Sequence, residues 1–379
     1  MKRPRIAYLT SNDPRDRRSW SGTHYFMARA LQEYCGDVSF LGPIQPPLRQ
    51  FAKLCSTVLQ NTIGKRYLYT HSIWLSKQIA RIVKRKLAED RYDLIFAPAG
   101  STEVAYLDTN LPVCYLSDAT VSLITNYYPE FSHVLGFSLR EAEHIEQRAI
   151  SKATVLFYSS QWAARSAVGH YRADESRVHV VPFGANLHTV PDRDALFNRQ
   201  PSERCRLLFV GVDWERKGGE IAYRTMLALE ERGLNPTLTV VGCIPPRKFR
   251  HQRMTIIPFL DKNKVSEQRE LFRIYMQSDF LISPTRMDCT PMVFPEANAF
   301  GLPVIATDTG GVASVITDGE NGYLFPPTAP PDDYADYIAA NCRDQQRYLE
   351  LRTRSRQAFE SKLNWKTWAE GVRSHLPLQ

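Results

Sequence analysis

Residues 280–311 read FLISPTRMDCTPMVFPEANAFGLPVIATDTGG, and this stretch decides the fold. Phe280–Ser283 is a short apolar run, the pattern of a buried strand. Residues 284–290 form a polar loop. Pro291 and Met292 open a helical pattern that stops at Gly301, with Pro303 just beyond it. A second apolar run, Val304–Thr307, predicts another strand and ends at the pair Gly310 and Gly311. Strand, crossover helix and strand in succession imply a parallel sheet in an α/β fold.

Two carboxylates stand at set places on this unit: Asp288 in the loop and Glu296 in the helix, with seven residues between them. Acids at that spacing also occur on ordinary solvated helices. The loop between them is rich in Pro, Cys and Met rather than Lys and Glu, so it is not an ordinary solvated face. The backbone of residues 289–293 offers N–H groups at a helix start, where anions bind well. An acid beside a sugar, an acid for a ribose and amides for a diphosphate suit a nucleotide-sugar.

The segment resembles the E-x7-E region of the family 4 glycosyltransferases, a GT-B class. Asp288 stands where the first Glu of that pattern is usual, and Glu296 matches the second. Ala297, Ala299, Gly301, Pro303 and Val304 match in register. The shortened acid and the missing Gly-Phe-Gly are departures in the loop that touches the sugar hydroxyls. A second match lies in residues 209–219, FVGVDWERKGG, where Phe209, Val210, Gly211, Lys217 and Gly218 fit the family's phosphate-gripping line. Val212 replaces the usual Arg there, and Arg216 is expected to supply that charge from another place. Two cations beside amides at a helix start suit a diphosphate leaving group.

Working outward, the alternation of strands and helices runs through the whole chain. Strands are expected at residues 6–10, 38–41, 94–98, 113–116, 155–159 and 178–184, then at 206–210, 237–241, 255–260 and 323–325. The expected fold is two Rossmann-like doubly wound domains facing across a cleft. The expected divisions are 1–186 as an acceptor domain, 187–204 as linker and 205–359 as the nucleotide-sugar domain. A final helix at 360–376 should return to the first domain.

In the first half, Gly22 follows a polar loop at a strand-to-helix turn, a place for phosphate in such folds. A simple tight turn explains Gly22 equally. Asp118 follows another strand and is a candidate acid on the acceptor side, or a helix N-cap. His133 and His144 read as structural or exposed. Asp192, Arg193 and Asp194 nominally form a metal-binding DxD but lie in the linker rather than at a strand end.

Composition bounds the rest. The 379 residues suit two domains, with 43% hydrophobic and 23% charged residues. Seven scattered Cys, with no CxxC pair, point to a reducing, cytoplasmic compartment without structural zinc. No apolar run reaches the roughly 18 residues that span a bilayer. The net charge is +8, and residues 45–91 hold ten basic residues against two acidic ones. Such a patch suits an anionic membrane surface or a phosphate-bearing acceptor, and equally a plain solvated face. In the helix expected at residues 73–87 the apolar stripe should pack on the sheet, and Lys77, Arg81, Lys84, Arg85 and Lys86 elsewhere on it are the candidates for contact with a bilayer surface. Nucleic acid is disfavoured, because no binding module is present and aromatics do not interleave with the basic cluster.

The resemblance implies a retaining, metal-independent glycosyltransferase that takes a nucleotide-sugar donor and a hydroxyl acceptor, saccharide or lipid-linked, and needs no cofactor. Lys217, Asp288 and Asp118 would be catalytic. Gly22, Arg216, Lys217, Met292 and Val293 would hold the diphosphate. Asp288, Thr290 and Pro291 would hold the sugar, and Glu296 the ribose. The alternatives are a nucleotide-sugar 2-epimerase and a non-catalytic nucleotide-sugar-binding protein.

Overall fold

The computed structural model describes residues 3–197 and 205–378. Residues 198–204 of the expected linker lie outside the described residues. The chain divides into two units. One comprises Met1–Pro182 with Trp368–Gln379, and the other Phe183–Thr367.

The first unit runs β1 (Arg5–Tyr8), α1 (Thr23–Tyr34), β2 (Asp37–Phe40), α2 (Arg49–Ile63), α3 (Ile73–Ala88) and β3 (Leu94–Pro98). It continues with α4 (Ser101–Val104), β4 (Val113–Ser117), α5 (Val121–Ile124), α6 (Gly136–Lys152), β5 (Val155–Tyr158), α7 (Gln161–Gly169) and β6 (Val178–Val180). The second begins with α8 (Arg193–Phe197), β7 (Arg206–Val210), α9 (Gly219–Glu231), β8 (Thr237–Val241) and β9 (Met254–Ile257). Next come α10 (Val265–Gln277), β10 (Phe280–Ser283), α11 (Val293–Ala299), β11 (Val304–Thr307) and β12 (Gly322–Phe325). The chain closes with α12 (Pro331–Arg343), α13 (Gln345–Ser361) and α14 (Trp365–Arg373).

Each unit carries a six-stranded parallel sheet. The orders are β2-β1-β3-β4-β5-β6 and β12-β11-β10-β7-β8-β9. Every residue of β3, β4, β5, β10 and β11 is buried, which is why these strands read as unbroken apolar runs. A parallel sheet is covered on both faces, so alternation disappears. In the second unit Phe280 and Ile282 point to one core with Phe209 and Met226, while Leu281 joins Phe294 and Ala297 on the other face.

Residues 183–186, expected with the first half, are grouped with the second unit. Phe183 stacks on Trp365 at 6.0 Å, and Trp365 Nε1 donates to Asn186 Oδ1 at 3.1 Å. The returning segment begins at Trp368, which is fully buried against Phe96 of the first sheet. The last helix is α14, because residues 360 and 361 still belong to α13.

Candidate functional site

The second sheet reverses its strand order between β7 and β10. In doubly wound sheets the crevice outside the carboxyl ends of the strands at such a reversal is where ligands bind. The loops leaving these two strands carry the candidate residues.

After β7 the chain turns tightly. The Lys217 amide donates to the Asp213 carbonyl and the Gly218 amide to that of Glu215. Gly218 has φ 74° and caps α9. A Cβ there would overlap the Pro284 carbonyl oxygen, so glycine alone lets the two loops close on each other. The loop after β10 is laced to this turn. The Arg286 amide donates to the Arg216 carbonyl at 2.8 Å, and Arg216 Nη1 donates to the Met287 carbonyl at 3.0 Å. The Gly311 amide, after β11, donates to the Asp288 carbonyl at 3.2 Å.

Lys217 Nζ and Asp288 Oδ2 form an ion pair whose side chains are only 12% and 8% exposed. Removing one partner of so sheltered a pair costs about 3–5 kcal/mol, since the other charge stays behind without compensation. Thr290, Pro291 and Met292 are buried between this pair and α11, and Val293 is half-buried. The structure therefore brings Lys217 and Asp288 together at the reversal.

Two expected site residues already have partners within the chain. One is Arg216. Its guanidinium holds the Met287 carbonyl and lies 3.8 Å from Asp213, so it braces the turn. Glu296 is not an open acid. It is fully buried, Oε1 accepts from Lys262 Nζ at 2.6 Å, and Oε2 accepts from the Tyr275 hydroxyl at 3.0 Å. Burial, then the Glu296 charge, push the Tyr275 hydroxyl well above its ordinary pKa, so it stays a donor. Lys262 and Tyr275 were missed because nothing local ties them to Glu296. Lys262 lies 34 positions away, in the turn between β9 and α10.

The first sheet reverses between β1 and β3. The loop after β1 ends in three residues of positive φ: Trp20 at 47°, Ser21 at 56° and Gly22 at 91°. Trp20 Nε1 donates to Asp118 Oδ2 at 3.2 Å, so the Gly22 turn and Asp118 meet through an indole that sequence reasoning passed over. An aromatic in that charged loop was the available signal. Asp118 is half-buried just after β4, and the N-cap of the next helix is Thr120 instead. The Trp20 ring lies 5.1 Å from that of His24, which burial lowers to about 4 and so keeps neutral near pH 7. The Ser11 amide donates to the buried Glu103 at 3.0 Å, which fixes the start of the loop.

His133 and His144 are exposed, as expected. Asp192 and Asp194 are exposed at the start of α8. Among the described residues no group of three or more His, Cys, Asp or Glu could hold a metal ion.

Residues 204–344 match the family described as Glycosyl transferases group 1. The group 1 segment thus begins just before β7 and contains Lys217, Lys262, Asp288 and Glu296. Similar proteins include the D-inositol 3-phosphate glycosyltransferases of Corynebacterium glutamicum (strain R) and Nocardia farcinica. The first is 29% identical over 251 residues, 61% of this chain and 59% of the relative. The second is 27% identical over 242 residues, 60% of this chain and 53% of the relative. The matched region therefore spans little more than half the length of these relatives.

Among solved structures, sucrose-phosphate synthase from Thermosynechococcus elongatus superposes with a TM-score of 0.68 at 17% identity, covering 98% of each chain. HepE of Anabaena, solved with UDP and glucose, gives 0.61 at 17% identity over 98% of this chain and 99% of that one. The fold of the chain is GT-B. No helix among the described residues is long and apolar enough to cross a membrane.

Proposed function

We propose that this protein moves a sugar from a nucleoside-diphosphate sugar to a hydroxyl acceptor, with retention and without a bound metal or cofactor. The setting would be polysaccharide, glycolipid or glycoconjugate biosynthesis in the cytoplasm, at an anionic membrane face. The observation that carries this reading is the sheltered Lys217–Asp288 pair at the β7/β10 reversal, inside the group 1 segment. A pyrophosphate entering there draws the Lys217 ammonium to itself and frees Asp288 for a sugar hydroxyl, aided by Thr290 and Pro291. As the glycosidic bond breaks, negative charge grows on the leaving diphosphate. Lys217 and the amides of Met292 and Val293 stabilise it, while Arg216 keeps the turn in place. A donor phosphate oxygen takes the acceptor proton. The ribose hydroxyls replace Lys262, whose side chain is 26% exposed and can leave the Glu296 carboxylate. The crevice of the first unit, with Gly22 and Asp118, takes the acceptor, a saccharide or lipid-linked saccharide.

The matched family and the named relatives are transferases, which gives the epimerase alternative no support. UDP-sugars come first in the donor panel because HepE was solved with UDP. The test is a thermal-shift and transfer screen with UDP-, GDP-, dTDP- and ADP-sugars, repeated with EDTA, with the product anomer read by NMR. Glu296→Gln should abolish the donor-induced shift while leaving the free protein folded. A donor that is epimerised without acceptor, or binding without turnover on a broad acceptor panel, would overturn the proposal.

A further inference from the structure

We propose that α2 docks this protein on an anionic lipid bilayer. The helix leaves its apolar face uncovered. Phe51 is 64% exposed, Leu54 60% and Val58 51%, with Leu48 and Ile63 at the two ends also exposed. Positions 51, 54 and 58 follow the i, i+3, i+7 spacing that lines one side of a helix. The opposite side is what joins the fold. Ala52 is the one buried residue of α2, and Ser56 donates to the Tyr67 carbonyl at 2.7 Å. An apolar stripe of this size on an otherwise polar helix marks an interaction surface.

The rim says what the surface meets. From residue 38 to 88 there is no Asp or Glu, while nine Lys and Arg occur. Lys53 and Lys65 flank the stripe and are exposed, as are Lys77, Arg81 and Arg85 on the neighbouring α3. A second copy of this chain would bring like charges together, and a protein partner of mixed charge would gain nothing from a rim of one sign. A sheet of anionic headgroups over hydrocarbon complements both the stripe and the rim. Trp74 and Phe137, 44% and 50% exposed, add aromatic rings of the sort that sit at headgroup level.

The apolar stripe of α3 packs inward, as expected, and cannot itself meet a bilayer. Leu75, Ile79 and Val83 are buried in the first unit's core. Lys84 is paired with Asp108 at 2.6 Å, and Lys86 donates to the Leu41 carbonyl at 2.7 Å. On α3 only the outward cations remain to assist α2.

The proposal deepens the membrane-face part of the functional reading but does not depend on sugar transfer. The full chain, without donor, is centrifuged with vesicles of phosphatidylcholine alone or mixed with phosphatidylglycerol. Binding is expected on the mixed vesicles and should weaken with added salt. Phe51→Ser with Leu54→Ser should weaken it about tenfold or more. Lys53→Glu with Lys65→Glu should weaken it by at least about fivefold for each charge. Circular dichroism and melting should be unchanged in both variants, since all four side chains are exposed. Absence of binding to mixed vesicles, equal binding to phosphatidylcholine alone, or unaltered binding by either folded variant would overturn the proposal. So would a concentration-dependent dimer in sedimentation velocity that the Phe51/Leu54 variant loses. Vesicle binding without donor turnover leaves this assignment standing and sinks the transfer reading, and the reverse result does the opposite.

Discussion

The two sheets of this chain share an architecture and differ in what stands at their reversal points. At the β7/β10 reversal a cation and an acid face each other on a turn drawn tight by Gly218. At the β1/β3 reversal a longer loop brings an indole to Asp118, beside a histidine that burial keeps neutral. The fold fixes where a ligand can sit, and the side chains fix which one. A pyrophosphate needs fixed positive charge and amides. A neutral polyol is better served by an acid that accepts its hydroxyl protons and a flat ring against its C–H faces.

Four substitutions probe that contrast, from large effect to small. Lys217→Ala should lower kcat/KM on the order of a thousandfold, because one oriented donor on developing charge is worth about that much. Gly218→Ala comes next. Its Cβ meets backbone rather than a flexible side chain, so the two loops must part, and donor affinity should fall about tenfold or more by titration calorimetry. Asp118→Ala should raise the acceptor KM about tenfold and leave donor affinity unchanged, as loss of one charged hydrogen bond would. If Asp118→Ala instead weakens the donor, the division of labour between the sheets is wrong.

The fourth substitution reads stability rather than binding or rate, and concerns buried acids. Glu296 in the second unit has Lys262 against it, whereas Glu146 in the first has hydroxyl partners, among them Tyr115 at 3.0 Å. Burial raises Glu146 from 4.5 to about 7. The folded state therefore holds this proton more tightly than the unfolded chain. Its contribution to stability falls as pH rises from about 4.5 to 7. Glu146→Gln should be more stable than the parent above pH 7, by roughly 1–3 kcal/mol, and nearly equal to it at pH 5. His24 and His71, both lowered to about 4 by burial, work in the opposite sense, losing stability as pH falls below 6.5. They are common to both proteins and cancel in the difference. Parallel melting curves for parent and variant across this range would sink the assignment.

Much of this was legible in the chain. The strands around residues 280–307 announced themselves because a parallel sheet demands unbroken apolar runs, and the turn after β7 did so through its glycines. What escaped was whatever the core does not dictate. On α2 the helical spacing of Phe51, Leu54 and Val58 is there to read, but such a stripe normally signals core, and only the fold shows that it faces out. Nothing near Glu296 points to Lys262, because their meeting is made by the fold. The boundary at Pro182 was placed four residues late, since only the ring of Trp365 on Phe183 reveals where the chain changes allegiance.

The long helix α13 lies beyond the group 1 segment, yet it supports α11. Arg356 Nη1 donates to the Ala299 carbonyl, Arg352 Nη2 to that of Leu196 at 3.0 Å, and Ala358 and Phe359 share a core with Phe294 and Ala297. Excising residues 204–344 as a portable module would therefore strip the backing from the helix that bears Glu296. Anyone building chimaeras should transplant 183–367 intact, the compact unit that keeps α11 together with its backing.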